Sequence, residues 1–150
     1  MTGREILLID DNEYDVSLIQ LGLEKAEVKN NLLVAKDGKE ALEYLFNDNT
    51  KPQKARPIPA LILLEIEIRD VDGFDLLKRI RSEKNTSLCP VVILTSCEEN
   101  KNIVAAYRLG ANSYICKPLD SEPFLEAVKQ MGLYWLNLNE SPQIVHGSFK

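Results

Sequence analysis

The sequence predicts an α/β protein built around a parallel sheet, on three observations. Five short apolar runs alternate with segments of helical period. The runs are apolar throughout instead of alternating with polar residues, as strands covered on both faces should be. A chain of 150 residues also hides roughly 70% of the surface it would expose unfolded, so one core can form without disulfides or a structural metal.

The elements follow in order. The first run, residues 6–9, precedes a helix with Val16, Ile19, Leu23 and Ala26 on one face. The second, 32–35, leads to a helix carrying Ala41, Leu42, Leu45 and Phe46. The third, 60–64, is followed by Asp70-Val71-Asp72-Gly73, which looks calcium-binding until the EF-hand spacing fails at Ile68. That stretch reads instead as a turn and helix start, with Phe74, Leu77 and Ile80 as the helix face. The fourth run, 91–94, precedes a helix marked by Ile103, Ala106 and Tyr107, and the fifth covers 113–116. A last helix opens near Asp120 or Ser121, with Pro123 in its first turn, where the missing N–H costs little. Its apolar face is Phe124, Leu125, Val128 and Met131.

Two stretches depart from this economy. Residues 47–59 form a polar, proline-rich connection longer than usual. Gly132 is expected to stop or bend the last helix, yet Tyr134, Trp135, Leu136 and Leu138 beyond it are too apolar for a free tail. They either pack back or meet a partner, while 142–150 fray. The organisation is a domain over 1–131 and an extension over 132–150.

Composition narrows the function. Eighteen basic against 23 acidic residues give a net charge of −5, which disfavours broad binding to nucleic acid or anionic lipid. No run approaches the length of a membrane span, and the N-terminus meets acids too early for a signal peptide, which points to the cytoplasm. Cys89, Cys97 and Cys116 lack CxxC spacing and read as buried free thiols. The one histidine, His146, lies in the polar tail, which removes the imidazole that zinc clusters and Ser-His-Asp catalysis need. Glycine-rich phosphate loops, a nucleophile elbow and internal repeats are absent from the sequence.

Ligands of open α/β sheets bind beyond the carboxyl ends of the strands, where the winding reverses. The residues leaving those ends are Asp10 and Asp11, Glu65 and Glu67, Thr95 and Ser96, and Lys117 with Pro118. Strand two leaves in Lys36 and Asp37, away from the reversal. If strands one and three are neighbours, their acids converge with a hydroxyl and a lysine. Crowded carboxylates repel unless a cation joins them, and all-oxygen ligands suit Mg²⁺ or Mn²⁺. A carboxylate beside that metal can act on a phosphoryl group, with Thr95 and Lys117 supplying a hydrogen bond and a positive charge. Taken singly, Asp10 and Asp11 could equally cap the first helix, and Thr95 and Lys117 are ordinary strand exits. Their joint placement is the signal.

At these residues the sequence resembles the receiver domain of two-component response regulators. The pieces that carry the resemblance are ILLIDDNEYD, LILLEIEIRDVDGFDLLKRIR, PVVILTS and GANSYICKPLD, and it covers about residues 4–131. It implies a flavodoxin-like, doubly wound five-stranded parallel sheet in the order 2-1-3-4-5 with five flanking helices. It further implies Mg²⁺ held by Asp10 or Asp11, the carboxylate at 65 and the main-chain carbonyl of Glu67. Thr95 matches the switch hydroxyl, Tyr114 the aromatic switch, and Lys117 the phosphate-contacting lysine, which a cis Pro118 would follow. The long loop and the GLYWLNLNESP end resemble single-domain regulators that partner bacterial phytochromes.

One departure stands out. The family places its phosphoacceptor aspartate where this chain has Glu65. The added methylene moves the carboxylate outward by roughly 1.3 Å, and a misplacement of about 1 Å can cost on the order of a hundredfold in rate. A glutamate imitates the modified state weakly, with one negative charge against about two and without the three phosphoryl oxygens. Glu67 and Cys97 fall where the family tunes loss of the phosphoryl group.

The expectation is a stand-alone signalling receiver, not an enzyme, with phosphorylation impaired or mimicked. Its implied partners are a sensor histidine kinase such as a bacterial phytochrome, a downstream protein target, and a second copy through the helix-four to helix-five face and the extension. Residues 132–150 are too few for a DNA-binding effector. The competing readings are a constitutive interaction scaffold and a metal-dependent phosphohydrolase using the same acidic rim.

Overall fold

In a strand, successive side chains face opposite sides of the sheet, so a continuous apolar run feeds two layers at once. Strand β1 (Ile6–Ile9) sends Ile6 and Leu8 to one core and Leu7 and Ile9 to the other, all fully buried. β3 (Leu61–Leu64) and β4 (Val91–Thr95) divide in the same way. With β2 (Leu32–Ala35) and β5 (Ser113–Cys116) they form a fully parallel sheet in the order β2-β1-β3-β4-β5. The two outer strands are only partly buried, so coverage on both faces holds for the inner three. These features belong to a computed structural model that describes residues 4–46 and 57–142. Residues 47–56 of the long connection, the end from 143 that the sequence expects to fray, and His146 lie outside the described residues.

Helices α1 (Glu13–Lys25) and α5 (Ser121–Leu133) cover the layer of Ile6 and Leu8, while α2 (Gly38–Phe46), α3 (Gly73–Ser82) and α4 (Asn100–Arg108) cover the other. Asn12 starts α1 by accepting the Asp15 N–H at 3.0 Å, and Asp72 starts α3 by accepting the Phe74 N–H at 2.8 Å. The acids at 70–73 are thus a helix start, as their spacing predicts. Asp70 adds something the sequence did not show: its carboxylate caps α2 from across the molecule, accepting the Gly38 and Lys39 N–H groups at 2.8 and 3.0 Å. Its slight burial is outweighed by those two bonds together with the backbone N–H groups of Asp70 and Val71, which hold the carboxyl below its ordinary range.

Three expectations need correction. Gly132 does not stop α5; the helix passes through it to Leu133 and continues as a π-helical turn, Tyr134–Leu138. A Cβ on Gly132 would lie 3.1 Å from Leu23 Cδ2, and one on Gly22 would lie 2.7 Å from Val128 Cγ1. These glycines let α1 and α5 approach closely. Tyr107 is half exposed, because α4 lies toward the β5 edge and only Ala106 of its face is fully buried. Of the three free cysteines only Cys89 is fully buried, and that burial pushes its thiol up to about 12; Cys97 and Cys116 are half-buried.

The apolar tail divides between its two readings. Trp135 and Leu136 pack against the α1–α5 core, whereas Tyr134 and Leu138 remain exposed. Among the described residues, no helix is long and apolar enough to cross a membrane.

Candidate functional site

Three strands deliver the site because their hydrogen-bond ladder runs one residue past the apolar run. The Asp10 N–H donates to the Ala35 carbonyl at 3.1 Å, Glu65 N–H to Ile9 at 2.9 Å, and Lys117 N–H to Thr95 at 2.7 Å. Each polar side chain is therefore fixed at the carboxyl edge by main-chain bonds. There the Lys117 ammonium donates to Asp10 Oδ2, Glu65 Oε1 and Asp15 Oδ2, each at 2.9 Å. The Lys117, Asp10 and Glu65 side chains are 6%, 1% and 8% exposed, and that of Asp15 is 18% exposed.

Charges taken this far out of water persist only if paired and hydrogen-bonded. The pairing is complete on both acids. The second oxygen of Asp10 accepts the Asn12 N–H at 2.9 Å, and that of Glu65 accepts the Glu67 N–H at 3.2 Å. Yet the cage is unbalanced, with three carboxylates around one ammonium. Burial raises the Asp10 carboxyl above its ordinary range; its share of Lys117 only partly offsets this, and the neighbouring Glu65 charge adds to it. Burial opposes the Lys117 charge as well, but the amine collects its bonds to Glu65 and Asp10 together and is held well above its ordinary range.

The remaining sequence candidates take up nearby places. Asp11 stands 3.3 Å from Arg69 in a solvent-facing pair, a contact of little energetic weight. Glu67 is exposed and accepts a 3.4 Å bond from the Ser96 hydroxyl. Thr95 is fully buried and Tyr114 half-buried, and both bond the main chain of Cys97. Thr95 Oγ1 accepts the Cys97 N–H at 3.4 Å, and the Tyr114 hydroxyl donates to the Cys97 carbonyl at 2.8 Å. Burial, then the Cys97 contacts, raise the phenol well above its ordinary range. The Lys117–Pro118 peptide is trans, against the expected cis bond; trans is the ordinary preference of such bonds.

Asp15 is the residue that sequence reasoning missed. Its helical position was foreseeable, but it read as one more acid in the first turn of a helix. Side chains lean toward a helix's N-terminus, which aims Asp15 back over the sheet edge.

The donor chemistry fits a hard dication. The set is all oxygen, it converges at one edge, and its negative charge exceeds what Lys117 neutralises. As arranged here the acids centre on the ammonium, and among the described residues no three His, Cys, Asp or Glu side chains stand in a metal-holding arrangement.

Residues 6–129 match the model of the response regulator receiver domain. The chain is 33% identical over 137 residues to the Probable methanogenesis regulatory protein FilR2 of Methanothrix harundinacea, covering 91% of this chain and 86% of that protein. It is 28% identical to response regulator Rcp1 of Synechocystis, covering 87% and 88% of the two chains. Among solved structures it resembles the phosphorylated cyanobacterial phytochrome response regulator RcpA, with a TM-score of 0.85, 30% identity and coverage of 94% and 99%. The Mn²⁺-bound form of Rcp1 superposes with a TM-score of 0.82 at 26% identity, covering 93% and 99%.

Proposed function

Because the chain belongs to the response regulator receiver family, we propose that it is a stand-alone receiver whose phosphoacceptor position, Glu65, is impaired in phosphoryl transfer. The observation that carries this reading is the cage around Lys117. It assembles the acids and the lysine that receiver chemistry needs, but the carboxylate at 65 is a glutamate with both oxygens engaged, one by Lys117 and one by the Glu67 N–H. Asp10, Asp11, Glu65 and the Glu67 main-chain carbonyl would hold Mg²⁺ or Mn²⁺, which supplies charge neutralisation for a phosphoryl group. Lys117 and Thr95 would bind the phosphoryl oxygens.

The switch is a shift between two arrangements of the main chain at Cys97, whose N–H bonds Thr95 and whose carbonyl bonds Tyr114. In its present arrangement the Tyr114 hydroxyl is anchored there by its bond to the Cys97 carbonyl. The similarity to the phytochrome response regulator RcpA supports a phytochrome-type histidine kinase as partner. Output runs through a cytoplasmic protein target, and α4, β5, α5 and residues 132–142 offer the face for it or for a second copy.

Intact-mass measurement after incubation with Mg²⁺ and acetyl phosphate tests this reading. The expected result is little or no gain in the wild-type chain and a gain of one phosphoryl group in Glu65→Asp. Full labelling of the wild type, lost in Glu65→Gln, would show a competent acceptor. No labelling of either chain would favour a constitutive scaffold.

A further inference from the structure

The three carboxylates around Lys117 are not equivalent. Asp10 and Glu65 leave neighbouring strands and are almost fully buried, whereas Asp15 lies on α1, is more exposed, and stands outside the metal-holding set. Its backbone N–H is bonded to Asn12, which fixes the first turn of α1 against the strand end that carries Asp10. A dication drawn to Asp10 and Glu65 competes with the ammonium that already joins them, and a buried ammonium left without a partner is costly.

We propose that Asp15 is a positioning residue that retains Lys117 at the rim when Asp10 and Glu65 turn to a divalent cation. The inference rests on the receiver reading above. Lys117 gives up its bonds to Asp10 and Glu65 and keeps the one to Asp15, so its charge stays buried, paired and within reach of a phosphoryl group. Without Asp15, cation binding must expel the amine to water or leave it unpaired. The rim then holds Lys117 more tightly on Asp10 and Glu65, and the dication enters less readily.

Titration calorimetry with Mg²⁺ on the full chain tests this through a double-mutant cycle. Asp15→Asn is expected to weaken Mg²⁺ binding about fivefold or more, in the usual range of coupling between sites. In a Lys117→Met background the same substitution should have little effect, because there is no amine to retain. Equal weakening in both backgrounds would make Asp15 a through-space charge and overturn the proposal, as would no weakening in either. If Lys117→Met does not fold, Glu13→Gln decides. It removes an equal charge from the same helical turn, from an exposed side chain outside the Lys117 cage, so it should leave the affinity near wild type. Weakening by Glu13→Gln that matches Asp15→Asn would overturn the retention role. Absence of Mg²⁺ binding in the wild type overturns the metal reading and this role together, a signature distinct from every other outcome.

Discussion

Two cations sit at opposite ends of the sheet, and each is held differently. At the carboxyl end, Lys117 is surrounded by three acids. At the amino end of β4 and β5, Arg81 is surrounded by neutral acceptors. Its guanidinium donates to the carbonyls of Gly110 at 2.8 Å, Ser87 at 3.1 Å and Cys89 at 2.7 Å, and to the Asn112 side chain at 2.7 Å. Burial pulls the Arg81 pKa down, but a guanidinium stays charged at any ordinary pH. The carbonyls around Arg81 are fixed dipoles of the loops entering β4 and β5, so that site holds a single arrangement and serves as a structural clamp. The acids around Lys117 carry more charge than the lysine can neutralise. A site with surplus charge responds to a second cation, and one satisfied by dipoles does not.

The largest expected effect that would break this contrast is Lys117→Met. It leaves Asp10 and Glu65 buried without a cation and should cost about 3–5 kcal/mol. Mg²⁺ should return part of that loss as a raised melting temperature, since a ligand that binds only the folded state stabilises it. Calorimetric melts with and without Mg²⁺ check both parts. If Lys117→Met proved as stable as wild type at neutral pH, the acids would not be holding charge.

Next in size is Arg81→Ala, expected to cost about 2–3 kcal/mol from the carbonyls left without their charged donor. Here Mg²⁺ should add no more to the melting temperature than it adds to the wild type, and titration should give an unchanged Mg²⁺ affinity. A large Mg²⁺ rescue of Arg81→Ala would erase the distinction between the two ends.

The smallest effect is the alkaline limb of stability. Burial lifts the Cys89 thiol from 9.0 to about 12, so its contribution is whole below pH 9 and is lost as pH rises toward 12. The Lys117 amine is held above its ordinary 10.5, so its contribution is whole below that value and declines above it. Melts across this range should show Cys89→Ala losing less stability than wild type as pH first passes 9. Lys117→Met, already less stable at neutral pH, should lose less further stability than wild type as pH rises above 10.5.

Much of this is legible in the residues alone. The strand at 6–9 is read correctly because four consecutive aliphatic residues serve two faces at once, and the helix at 13–25 because its apolar residues recur at helical spacing. Asp10, Glu65, Thr95 and Lys117 are legible as candidates because a strand's carboxyl end is a position in the sequence. Asp15 is not, because its partner lies 102 residues away and nothing local marks an acid in a first helical turn as turned inward. Tyr107 fails for the opposite reason, since helical spacing shows which residues share a face but not how deeply that face is covered.

The sequence by itself determined the order of elements, the two-layer core and the chemical inventory at the sheet edge, because hydrophobic periodicity and strand termini are local properties of a chain. Only the tertiary structure decided how that inventory is shared: Lys117 on three acids, Asp70 as a cap for a distant helix, Gly22 and Gly132 as points where α1 and α5 approach closely. The physical reason is that pairing energies depend on separation and burial. Both are fixed by how distant segments pack, a quantity that no window of residues contains.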